Sequence, residues 1–176
     1  MRLLMAIFAL TPALSWAQQA PVSFSDFSPA LKLESVAPDG SIAKFAGPVT
    51  VTGTIYFEFD EGDSGRMDGV NFAKFVPDKA SRASLPAITG GYFPSPVQYV
   101  LLEPAEAALE GAYGVTEARR LAHGTAHHAL THVRVVMRNY TATVECDARR
   151  YMSTDPVVTP IPGPTIAGLV NSSSGC

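Results

Sequence analysis

The clearest signal in the chain is an alternation running from Val49 to Phe59. Val49, Val51, Gly53, Ile55, Phe57 and Phe59 fall on one side, and Thr50, Thr52, Thr54, Tyr56 and Glu58 on the other. A period of two in β-branched and aromatic residues predicts a strand with one buried face, and Gly53 inside it reads as a bulge or bend. The polar stretch Asp60–Gly69 interrupts the pattern, which resumes from Val70 to Val76, so the two runs predict a hairpin with a long turn. Upstream, Val22 to Gly47 carries Phe24, Phe27, Leu31, Leu33, Val36, Ile42 and Phe45 among proline and glycine breaks and predicts short strands.

Pro77-Asp78 closes the second run, and Ser81 to Pro96 reads as a loop punctuated by Pro86, Gly90, Gly91 and Pro94. Val97 to Leu102 predicts a third strand. Pro104 suits the first position of a helix, AEAALE from Ala105 to Glu110 favours one, and Gly111 and Gly114 stop it. A second helical stretch runs from Thr116, a good N-cap, to Ala122. His132–Met137 and Tyr140–Arg150 then read as two strands or one long bent strand. Strand, strand, strand, helix, strand, strand is the order of the OB-fold, a five-stranded, partly open Greek-key barrel with its helix between strands three and four. The expected fold is therefore mostly β (α+β) and OB-like, with an α+β sandwich as the rival.

The first residues predict an address. Met1-Arg2 is followed by the apolar run Leu3–Leu10, then Pro12 and the small residues Ser15 and Ala17 around Trp16, the three-part pattern of a secretory signal peptide. The run falls far short of the roughly 20 apolar residues of a transmembrane helix, and no other stretch could span as one. The expected organisation is 1–17 signal peptide, 18–155 single β-rich domain and 156–176 tail, in a periplasmic or secreted protein. Cleavage after Ala17 leaves 159 of the 176 residues, removes Arg2 and no acid, and moves the net charge from −3 to −4. It also removes the only tryptophan. An acidic balance excludes a nucleic-acid binder that works by bulk electrostatics.

Two cysteines, Cys146 and Cys176, predict one disulfide in an oxidising compartment, with pairing within the chain or between chains. Within the chain it would tie back a tail rich in proline, glycine and serine, closing a loop of about 30 residues worth roughly 3–4 kcal/mol.

Candidate chemistry gathers late in the chain. All four histidines, His123, His127, His128 and His132, lie within ten consecutive residues, and two of their spacings are four. That spacing places each pair on one face of a helix or of a strand. Imidazoles so arranged suit Zn²⁺ or Cu²⁺ once a third ligand joins them, for metal capture or metal-assisted hydrolysis. The competing reading is a solvated connector before a strand. The stretch HGTAHHALTH, with His127-His128 at its centre, resembles a segment of uncharacterised secreted bacterial small β-domain proteins. That resemblance implies an exported β-domain and carries no activity.

Six arginines between 113 and 151, among them Arg134 and Arg138, stand against Glu117, Glu145 and Asp147. With Tyr140 they form either a ligand-binding face for an anion or sugar or a merely solvated surface. Asp60, Glu61, Asp63 and Asp68 fail the EF-hand pattern, since Gly62 and Asn71 occupy ligand positions, and read as an acidic turn. Gly62-Asp63-Ser64-Gly65 resembles the nucleophile loop of trypsin-like serine proteases, but Arg66 follows it and every histidine comes after the serine. No nucleophile–base pair is legible. The leading expectation is an exported, non-catalytic binding or structural module whose partner is a small molecule, glycan or protein, with no nucleic acid. The alternative is a metal-binding protein using the histidine cluster.

Overall fold

The computed structural model describes residues 30–62, 66–89, 96–145 and 148–162. The 1–17 segment, Cys146, Cys176 and most of the tail lie outside them.

The fold is mostly β. The alternation around Val51 belongs to a 20-residue strand, β2 (Ile42–Glu61), preceded by β1 (Lys32–Val36) and followed by β3 (Met67–Pro77). A one-turn helix, α1 (Lys79–Arg82), stands where loop was expected. β4 (Val100–Glu103) is shorter than the expected third strand and leads into α2 (Ala105–Tyr113) and α3 (Val115–Ala122). α2 starts one residue later than expected, with Pro104 as its N-cap and not its first helical residue. α3 starts early, at Val115, with Gly114 and not Thr116 as its N-cap.

The last third corrects the sequence reading most. β5 is a single strand from His128 to Glu145, and β6 (Ala148–Thr154) folds back on it antiparallel, starting from Glu145 opposite Ala148. The run Tyr140–Arg150 is therefore split between two strands. Neither glycine nor asparagine marks the change of direction, so the usual hairpin signal is missing. β7 (Val157–Pro160) pairs with β5 inside the segment expected to be tail, anchored by Val158.

β2 pairs with β3, β3 with β4, β4 with β6, β6 with β5, and β5 again with β2, which closes a ring through five strands. β4–β6 is the parallel contact. Side chains pointing into the ring form the core: Phe45, Ile55 and Phe57 from β2, Phe75 from β3, Leu102 from β4, and Val133, Val135 and Met137 from β5. Each fully buried side chain of this size contributes about 1.5–3 kcal/mol relative to exposure. Helix α2 turns Ala108, Leu109 and Ala112 inward and packs on β3, β4 and β7. Among the described residues no helix is long and apolar enough to cross a membrane.

Two glycines are needed where they stand. Gly53 is not a bulge: it lies in regular register with Pro77, where a Cβ would meet the Val76 carbonyl oxygen at 2.2 Å. The bulge falls instead between Ala46 and Val49, where Gly47 has φ +116°.

Candidate functional site

That bulge decides where the sequence-predicted ligand residues go. β2 advances three residues from Ala46 to Val49 while β5 retreats two, from Asn139 to Met137. A slip of one residue reverses which positions face inward. Arg134 and Arg138 are exposed, as alternation predicts, but past the slip Tyr140 turns into the core with 1% exposure. Its hydroxyl donates to the Pro86 carbonyl at 3.0 Å, and its ring lies against Phe45 and Tyr151. Burial pushes the phenol well above its usual pKa. Tyr140 is a core tyrosine and does not share a surface with the two arginines.

The histidines divide among different tasks. His123 is the C-cap of α3, and its backbone N–H donates to the Arg119 carbonyl. His127 is exposed, and its carbonyl accepts from the Phe59 N–H. His128 and His132 share the outward face of β5. Among the described residues no three donors of the His, Cys, Asp and Glu type gather as a metal group. The nearest approach is His132, whose Nε2 is 3.6 Å from Asp78 Oδ2. That carboxylate also accepts from the Thr52 hydroxyl at 2.8 Å.

An outward aromatic cluster, missed in the sequence, forms beside His128. Tyr56 of β2 stacks on the His128 imidazole with centroids 5.1 Å apart, and its oxygen is 2.5 Å from Nδ1. Where the phenol donates, Nδ1 accepts and the proton of a neutral ring sits on Nε2. Burial first, and the Glu58 charge second, raise the Tyr56 pKa, so the phenol keeps its proton at neutral pH. Phe72 of β3 lies 6.3 Å from Tyr56 on the other side.

Lys74, directly across from Tyr56 in the β2–β3 ladder, completes the cluster. Its ammonium sits 5.3 Å from the Phe72 ring centre and 4.8 Å from that of Tyr99, just before β4. Both distances fall within cation–π range. The strand register explains the arrangement, since Tyr56, Phe72 and Lys74 are the half-buried outward positions of adjacent strands. One available signal was the period-two pattern of β3, which sends Phe72 and Lys74 to the face opposite Ala73 and Phe75.

Phe72 also borders a cleft of about 570 Å³ where β3, β4 and the start of α2 meet. Asn71, Leu102, Glu103, Glu106 and Asp155 are among its lining residues. This volume lies in the range of small-molecule sites.

No family model, no curated protein and no solved structure matches the chain.

Proposed function

We propose that the protein is an exported, non-catalytic binding module: an OB-like barrel that receives its ligand on the outer face of β2, β3 and β4. Export rests on the signal-peptide pattern of residues 1–17. The OB-like reading is supported by the ring order. Counted along the chain, the five ring strands meet as 1-2-3-5-4-1, the third and fifth run parallel, and α2 and α3 lie between the third and fourth. In an OB-fold, ligands are held over strands two and three, which here are β3 and β4.

One observation carries the choice of face: Lys74 lies between the rings of Phe72 and Tyr99, and Phe72 opens onto the cleft. A binding reading is preferred to catalysis because the hydroxyl–carboxylate–imidazole chain of Thr52, Asp78 and His132 has the carboxylate in the middle. Acyl transfer requires the imidazole there. Metal capture would need a third ligand beside His132 and Asp78. Amide chemical-shift mapping with a mixed library of neutral, cationic and anionic fragments tests the proposal. Shifts should gather at Tyr56, Phe72, Lys74 and Tyr99, whereas shifts gathered around Arg134 and Arg138 would refute it.

A further inference from the structure

Three charges of mixed sign are interleaved with the rings of this face. Glu58 is the β2 partner of Phe72, and Lys74 is the β3 partner of both Tyr56 and Leu101. Glu103 lines the cleft together with Phe72. Among the described residues none of these three charges has an ion-pair partner.

This pattern discriminates by charge. A polyanion meets Glu58 on one side of Phe72 and Glu103 in the cleft beside it, with the acidic Asp60, Glu61 and Asp68 further along the same hairpin. A cation meets the like charge of the Lys74 ammonium, 5.3 Å from the Phe72 ring centre and 4.8 Å from that of Tyr99. A neutral polyhydroxylated ligand is repelled by neither. Its hydroxyls can donate to the carboxylates and accept from the ammonium, and hydrogen bonds to charged groups are about twice as strong as neutral ones. Its apolar C–H face can lie on an aromatic ring, whose face is electron-rich.

We infer that the site takes a neutral oligosaccharide, stacked on Phe72 and Tyr99 and hydrogen-bonded by Lys74, Glu58 and Glu103. The inference rests on the binding-face reading and adds the ligand class. The cleft beyond Phe72 extends the surface with Asn71, Thr154 and Asp155, whose side chains offer further donors and acceptors.

The test is an NMR titration of the full chain with cellotetraose, chitotetraose and maltotetraose, with tetragalacturonate and spermine as charged comparators. At least one neutral tetrasaccharide should bind more tightly than either comparator, with shifts centred on Phe72 and Tyr99. Tyr99→Ala should weaken that binding about tenfold or more, and Lys74→Met should weaken it several-fold while leaving the amide spectrum of the core in place. No binding of any neutral tetrasaccharide at millimolar concentration, or tighter binding of tetragalacturonate or spermine, overturns the inference. If fragments gather on the face while saccharides do not bind, the ligand class alone falls. If fragments do not gather there, the binding-face reading falls with it.

Discussion

The Tyr140 hydroxyl donates to the carbonyl oxygen of Pro86, 54 residues earlier in the chain, from a side chain with 1% exposure. The contact fastens the segment after α1 to the inner face of β5. Tyr140→Phe leaves the ring in place but removes the donor. It should cost about 1–2 kcal/mol, because a buried carbonyl loses its partner. Urea unfolding would show the loss as a lower midpoint with an unchanged slope. An unchanged midpoint would mean that the Pro86 carbonyl finds water instead.

Gly53→Ala addresses the closure of the ring. A Cβ at this position meets the Val76 oxygen at 2.2 Å, the Pro77 Cα at 2.8 Å and the Phe75 ring at 2.9 Å. Two of these neighbours are backbone, so β2 and β3 must separate locally. The expected loss is at least about 2 kcal/mol, from overpacking. Thermal unfolding that matches the unsubstituted protein would contradict the close approach.

The pH behaviour of Tyr56 follows from its surroundings. Its pKa is raised above the usual 10.0, first by burial and then by Glu58. A raised folded-state pKa stabilises the fold fully below the unfolded value, and the contribution is lost as pH rises through the folded one. Glu58→Gln should lower the Tyr56 pKa while leaving it above 10.0, since burial remains. Ring-carbon NMR across alkaline pH measures this. A titration unmoved by the substitution would remove Glu58 as a cause.

On α3, the Arg120 guanidinium donates two hydrogen bonds to the Glu117 carboxylate, at 2.8 and 2.6 Å, and holds its pKa below the usual 4.5. A depressed folded-state pKa adds stability above the unfolded value, lost as pH falls through the folded one. The pair is solvent-exposed, so Arg120→Ala should shift the Glu117 titration upward with little change in the melting temperature at neutral pH. A Glu117 pKa that stays put would contradict the pairing.

Much of the architecture was legible because alternation is a local property. β2 and β3 followed directly from Ile55, Phe57, Val70 and Phe75, and the helices from Pro104 and the two glycines. The limits were equally physical. The hairpin between β5 and β6 carries no Gly or Asn signal, so Arg149 and Arg150 were read in one run with Tyr140. Val158 was assigned to the tail on the proline, glycine and serine of that segment. Its placement comes instead from pairing with Val135 and from close approach to Gly111 of α2, where a Cβ would stand 2.7 Å from the Val158 carbonyl oxygen. Tyr140 was grouped with Arg134 and Arg138 by nearness in sequence, whereas alternation on β5 breaks at Arg138 and Asn139, both exposed, opposite the register shift between Ala46 and Val49.

The candidate site was harder to foresee for the same reason. Tyr56 and Phe72 were each visible as strand residues, but their meeting with His128, Lys74 and Tyr99 depends on three register relationships. The sequence drew attention to the histidines as a cluster. Folding separates His123 at a helix end from His128 beside Tyr56 and His132 beside Asp78.

The most direct test of the binding face is the set of intermolecular nuclear Overhauser effects from a bound fragment or tetrasaccharide to the protein's ring protons. The account predicts contacts to Phe72 and Tyr99, with weaker ones to Tyr56 and the Lys74 side chain. Contacts confined to the Arg134–Arg138 surface of β5, with none to Phe72 or Tyr99, would contradict it.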